Sequence, residues 1–246
     1  MHPPYFQPLQ AGEILIGALR VYRDHLRLLV MVSLLPHLAL LALETLVLPR
    51  SGGATQEGVM ILLAVTVLTN AITLAALTLA IGRALLGEEP GVGEVYAQTF
   101  RRGVLAPMVA YLVTALLISG GMMALIVPGV LLGALFAPCI PAIVVERLSP
   151  LQGIRRSVEL IRGQLLKGVS VFIFFMAASG LLPLLLLVVQ INIAMGPFSP
   201  LLGALIGSVT LPLGYAASVL LYFSLRAVDA DAVAGLTADL APEAAE

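Results

Sequence analysis

The sequence predicts an all-α fold, a polytopic membrane bundle of six transmembrane helices with three interfacial amphipathic helices on the cytoplasmic side. Three observations predict it. The first is composition: of 246 residues 60% are apolar and 11% charged, and the mean hydropathy is +1.05. Soluble domains carry roughly 45–50% apolar and about 25% charged residues. A water-soluble fold of this size has too much surface to hide that apolar content. The second is run length, because several apolar stretches reach the roughly 20 residues that cross a hydrocarbon core. The third is the one-sided placement of Lys and Arg.

The chain opens with an amphipathic segment, 11–26. Ile14, Leu15, Ala18, Leu19, Val21, Tyr22 and Leu26 fall on one side at 100° per residue, opposite Glu13, Arg20, Arg23, Asp24 and Arg27. That is the profile of a helix lying at a membrane surface. It differs from a cleaved signal peptide, whose apolar core is shorter and follows a brief basic leader. The spans follow at about 27–48 and 59–81, then at 104–126 and 129–145. No residue from Gly103 to Val145 is charged, a run of 43, enough for two crossings. Val127-Pro128-Gly129 suits a type II turn between them; Ser119-Gly120-Gly121 is the alternative. The last spans are 168–191 and 202–225. Two more amphipathic helices are expected at 92–102 and 150–166, the latter opened by a capping box, Ser149 to Gln152, with Pro150 at its first position.

Each amphipathic segment precedes an apolar hairpin, so 1–227 reads as one domain of three similar units. The tail 228–246 holds five acids and no base, the signature of a disordered segment.

Twelve bases fall on the N-terminal side of this arrangement and only Arg50 on the other. Basic loops stay in the cytoplasm, so both termini are placed there. The basic residues are not clustered with aromatics on a soluble module, which argues against nucleic acid and for anionic lipid headgroups at the inner face. The single Cys139 excludes a disulfide scaffold.

Two stretches resemble a known family. Gln7 to Leu29, QPLQAGEILIGALRVYRDHLRLL, and Val127 to Gly163, VPGVLLGALFAPCIPAIVVERLSPLQGIRRSVELIRG, resemble the membrane domain of glycerophosphoryl diester phosphodiesterase as found in bacterial proteins. The matching positions are Pro128, Gly129, Pro138, Glu146, Pro150, Arg156, Ser157, Leu160 and Gly163. The resemblance implies a multi-helix domain in the bacterial inner membrane. The catalytic barrel that some relatives carry needs about 250 residues, and its His-Arg-Gly and Glu-x-Asp motifs have no match here. The resemblance therefore carries no activity.

No motif requires a cofactor. His2, His25 and His37 are not at ligand spacing, and Cys139 lies among apolar residues. The inner-face candidates are Glu146, Arg155, Arg156, Ser157, Glu159 and Arg162, with Glu159 placed to bridge Arg155 and Arg162. The intramembrane polar candidates are Ser33, His37 and Glu44 on one face of the first span, and Asn70 in the second. A buried polar group in hydrocarbon needs a partner, so His37 is expected to bond Asn70 or the Ser33 hydroxyl. Gly129 with Gly133, and Gly203 with Gly207, form small faces for close helix approach. The expected function is a non-catalytic membrane module acting through lipid or protein contacts, with a protein partner or a second copy as further occupants. A small transporter or lipid-handling protein is the alternative.

Overall fold

In the computed structural model, residues 8–47, 56–181, 184, 185, 188 and 199–227 are described. They are helical, with no strand among them. The outer end of the first hairpin with Arg50, residues 189–198 of the fifth span and its turn, and the 228–246 tail lie outside the described residues. The helices are α1 (Ala11–Asp24), α2 (Leu26–Val47), α3 (Gln56–Leu85), α4 (Val92–Arg102), α5 (Leu105–Ala124), α6 (Ile126–Phe136), α7 (Cys139–Glu146), α8 (Pro150–Ile161), α9 (Leu165–Met176, continued by a π turn Ala177–Leu181) and α10 (Ser199–Arg226).

Five of these segments are long and apolar enough to cross a membrane: α2, α3, α5, α6 with α7, and α10. A sixth is reached if α8 and α9 count together, although 114° separates them. Large apolar side chains such as Leu116, Met123, Leu125, Ile126 and Val127 stand strongly exposed, as befits a surface bathed in hydrocarbon rather than water.

The long helices close a ring. α2 touches α3, α3 touches α5, α5 touches α6, α6 touches α9, α9 touches α10, and α10 returns to α2. The shorter amphipathic helices follow the same cyclic rule, each packing chiefly against the hairpin that precedes it. α4 lies against α3 and α2, α8 against α7, α6 and α5, and α1 against α10 and α9. Aligned from their first residues, the three helices put buried Ala18, Thr99 and Ser157 at one equivalent position.

Second helices of the hairpins make the core. Their C-terminal parts, 73–85 in α3, 139–145 in α7 and 214–226 in α10, are continuously buried, and α3, α7 and α10 touch one another. The buried share of the apolar window is 61% for α10 and 50% for α6–α7, against 17% for α2 and for α5. First helices are therefore peripheral. The amphipathic helices turn their apolar stripes to this core: Ile14, Ala18 and Val21 of α1 are buried by protein, while Leu19, Phe100 and Leu151 remain exposed.

Boundaries shift from those expected. The turn between the third and fourth spans falls on one extended residue, Leu125 (φ −160°, ψ 142°). Gly120 and Gly121 stay inside α5, and Pro128 sits in the first turn of α6, where a missing N–H is harmless. Close packing of Gly121 on Gly129 lets the two helices meet so tightly: a Cβ on Gly129 would lie 2.6 Å from the Met122 nitrogen. The fourth span breaks between Phe136 and Cys139, at Pro138. The third amphipathic helix ends at Ile161 and the next helix begins at Leu165, earlier than expected. Ser149 and Gln152 do cap α8, with the Ser149 N–H donating to Gln152 Oε1 at 3.0 Å. Gln10 and Glu13 do the same for α1 at 2.7 Å.

Candidate functional site

Proline explains how the amphipathic helices are fastened. A proline within a helix leaves the carbonyl four residues earlier without its donor and splays the one beside it. Tyr96 of α4 donates its hydroxyl to the Val32 carbonyl, four residues before Pro36. Tyr22 of α1 donates to the Val209 carbonyl at 2.8 Å, three residues before Pro212. Ser157 of α8 donates to the Leu135 carbonyl at 2.6 Å, three residues before Pro138. Each hydroxyl reaches into the preceding hairpin. Burial pushes the Tyr22 and Tyr96 phenols above their ordinary value, which keeps both as donors.

The C-terminal ends of the core helices carry charge. Glu146, at the end of α7, accepts from the Tyr222 hydroxyl at 2.9 Å and pairs with Arg156 at 3.3 Å and with Arg226 at 3.9 Å. Arg226 also donates to the Tyr222 oxygen at 3.1 Å. α7, α8 and α10 are thus tied at one point. Arg83, buried at the end of α3, pairs with Glu88 at 2.6 Å and Glu94 at 3.4 Å. Of the inner-face candidates, Glu146 and Arg156 come together as a pair, and Ser157 becomes the α8 fastening. The expected Glu159 bridge is absent: Glu159, Arg155 and Arg162 are exposed and no ion pair joins them. Exposed pairs gain little against water and side-chain entropy, whereas Glu146 faces its partners in a half-buried setting.

The intramembrane candidates do not converge. His37 Nδ1 lies 2.7 Å from the Ser33 backbone carbonyl; a carbonyl only accepts, so Nδ1 carries the proton. The Ser33 hydroxyl is buried without a partner among the described atoms. Asn70 donates to the Thr66 carbonyl at 3.0 Å in its own helix. The expected His37–Asn70 bond is replaced by these local i−4 bonds, the cheapest way for a lone polar side chain to satisfy itself inside a helix. Glu44 is half-buried in the C-terminal half of α2. His37 instead faces α10, where a Cβ on Gly207 would lie 3.3 Å from its Nε2. Gly133 admits the Phe172 ring of α9 in the same way, but Gly203 faces open space, so it makes no close approach.

Two clefts open at this charged end, at equivalent places in the ring. One, of about 440 Å³, lies between the α1–α2 turn and the segment entering α4, with Asp24, His25, Arg27 and Glu89 on its walls. The other, of about 250 Å³, lies between the α4–α5 turn and the segment entering α8. Its walls hold Arg102 and Arg147 and, among the described residues, no carboxylate. Arg102 is held in place by a 3.0 Å bond from Nη1 to the Val144 carbonyl. The sequence marked both arginines only as cytoplasmic charges. No local sequence pattern relates the two, since 45 residues separate them and the fold alone makes them neighbours on one cleft.

A third cavity, of about 240 Å³, sits at mid-depth among α3, α5, α6, α7, α9 and α10. Its polar groups include Tyr215, whose hydroxyl lies 3.0 Å from that of Thr78, with Thr114 and Ser218. Neither His37 nor Asn70 lines it.

Among the described residues no group of His, Cys, Asp and Glu is arranged to hold a metal ion. No protein-family model, curated protein or solved structure matches this chain.

Proposed function

We propose that this chain is a non-catalytic integral membrane module of six spans that holds anionic lipid headgroups at its cytoplasmic face. The resemblance to the membrane domain of glycerophosphoryl diester phosphodiesterase supports a bacterial inner-membrane location with both termini cytoplasmic. The observation that carries the reading is the distribution of charge at the inner end. Asp24, Glu88, Glu94 and Glu146 are engaged by arginines, while Arg20, Arg27, Arg101, Arg155 and Arg162 are exposed with no ion pair among the described residues. Such a surplus beside a bilayer attracts anionic headgroups at about 1 kcal/mol per basic residue near the surface. Exposed Leu19, Phe100 and Leu151 on the same helices suit the adjoining acyl region.

Lipid analysis of the protein extracted in mild detergent tests this. Phosphatidylglycerol and other anionic lipids should be enriched over the bulk membrane, and the enrichment should fall with added salt. A lipid profile equal to the bulk membrane would contradict the reading. The mid-depth cavity favours the alternative, a small transporter or lipid-handling protein. Cysteines replacing Thr114 or Ser218 would then react with water-soluble thiol reagents in intact membranes, whereas the module reading expects them to stay unreactive.

A further inference from the structure

We infer that the cavity of about 240 Å³ among α3, α5, α6, α7, α9 and α10 binds the ring of an uncharged, carbonyl-bearing lipid, a membrane quinone. The inference is independent of the headgroup reading above, since none of the arginines invoked there lines this cavity.

Hydrogen bonding sets the chemistry of the occupant. Ser218 lines the cavity and is 4% exposed, yet its hydroxyl makes no hydrogen bond among the described residues. The same holds for the Tyr111 hydroxyl on the same cavity. Other wall hydroxyls have spent their protons or stand in the open. Thr114 donates to the Ala110 carbonyl at 2.8 Å. Thr78 donates to the Leu74 carbonyl at 2.8 Å, and a hydroxyl has one proton, so the 3.0 Å bond between Tyr215 and Thr78 carries the Tyr215 proton. Ser119 is exposed. Two donors are left without an acceptor in an apolar setting, where a missing bond costs most. No charged residue is among the described lining residues, so a neutral acceptor suits the site better than an anion. A carbonyl oxygen offers two lone pairs.

The walls select a ring over an acyl chain. Five of the chain's eight Phe and six Tyr line this one cavity: Tyr111, Phe136, Phe172, Phe175 and Tyr215. Aromatic faces pack favourably on a flat ring. A cavity of about 150 Å³ already holds benzene, so this one has room for a substituted single ring.

The backbone is irregular at the same place. Phe136 and Ala137 stand at the break between α6 and α7, and Phe175 and Met176 immediately precede the π turn Ala177–Leu181. Such π turns are rare and recur at functional positions. Exposed Ser119 and Met176 mark the rim, with Leu116 and Ile173 exposed beside them. A tail attached to the ring would leave along these side chains into hydrocarbon.

Native mass spectrometry of the full, delipidated chain would compare decylubiquinone with decylbenzene, which lacks the carbonyls, and with dioctanoylglycerol, whose carbonyls are esters without a ring. Decylubiquinone should bind at least about tenfold tighter than either. Ser218→Ala and Tyr111→Phe should each weaken it by about threefold to tenfold, the worth of one hydrogen bond, whereas Ser170→Ala, away from the cavity, should leave it unchanged. Without ligand, both cavity variants should melt no lower than the parent by circular dichroism, because each removes a hydroxyl with no protein bond to lose. A lowered melting temperature would show that these hydroxyls are bonded within the fold and would overturn the inference. Decylbenzene binding as tightly as decylubiquinone would remove the role of the carbonyl. Tighter binding of dioctanoylglycerol would replace the ring by an ester, and no binding of decylubiquinone would overturn the inference outright. Each of these failures leaves the enrichment of anionic lipid, and with it the proposed function, to stand or fall separately.

Discussion

The two clefts at the charged end of the bundle occupy equivalent places in the ring and differ in what lines them. The first is walled by Asp24, His25, Arg27 and Glu89, and the turn beside it uses Gly87. The second holds Arg102 and Arg147 with no acid among its described lining residues, and its turn uses Arg147, also at positive φ. The shared part is architectural: an amphipathic helix, a turn into a span, and the entry to the next amphipathic helix. The divergent part is charge. A repeated frame supplies sites of similar shape, and substitution at a few positions changes the charged groups on their walls. Function in such a fold is read from the differences between units.

The largest effect on this comparison comes from the acid behind each turn. Glu146→Gln leaves Arg156 and Arg226 without their counter-charge in a half-buried setting and should lower stability in detergent by about 2–3 kcal/mol. Glu89→Gln, on the first cleft and exposed, should change it by less than about 0.5 kcal/mol. Glu159→Ala should be as mild. Equal losses at Glu146 and Glu89 would show that the two clefts are built alike after all.

Exchange of the turn residues should give effects of opposite sign. Gly87→Arg should lower stability by about 1 kcal/mol, because an L side chain is forced to positive φ. Arg147→Gly should raise it by up to about 1 kcal/mol. Thermal melts of both variants check this, and shifts of the same sign would break the equivalence of the turns.

Hydroxyl fastening gives a comparable but smaller effect. Tyr96→Phe should cost about 1 kcal/mol, the ordinary worth of a hydrogen bond whose acceptor stays buried. Replacing Pro36 by Ala restores a helical donor to the Val32 carbonyl, so in that background Tyr96→Phe should cost distinctly less. Additive losses from the two substitutions would separate Tyr96 from the proline.

Membership of the bundle was legible in the sequence, since run length and one-sided basic residues depend only on composition and order. The three-unit plan was legible as alternation of amphipathic and apolar segments. Ring closure was not, because α1 meets α10 across nearly the whole chain. The Leu9 N–H bonds Ser224 Oγ at 2.7 Å over 215 residues. Glu146 and Arg156 stood out through the family resemblance, whereas Tyr222 and Arg226 complete their cluster from a helix that no local pattern links to them. His37 and Asn70 shared a depth but not a contact, since each found a backbone carbonyl in its own helix. Arg147 was invisible as a special residue, because left-handed backbone leaves no mark when arginine occupies it.

The smallest predicted effect is on pH. Burial raises the Tyr22 and Tyr96 phenols above their ordinary 10.0, so the folded chain holds them neutral after the unfolded chain begins to ionise. Their stabilisation is complete below pH 10 and is lost as pH rises beyond it through the folded values. Melting temperature should therefore fall above about pH 10, and less steeply in Tyr96→Phe than in the parent. Parallel alkaline slopes would show that this hydroxyl is not held in the fold.

The equivalence of the clefts rests on the ring being closed, with α1 packed against the last hairpin. Cross-linking tests this directly. In a Cys139→Ala background, Tyr22→Cys with Val209→Cys places two thiols where the Tyr22 hydroxyl now meets the Val209 carbonyl at 2.8 Å. A short bis-maleimide should join them within one chain, at high yield and independently of protein concentration. Absence of the cross-link, or a product that joins two chains and grows with concentration, would contradict the closed ring.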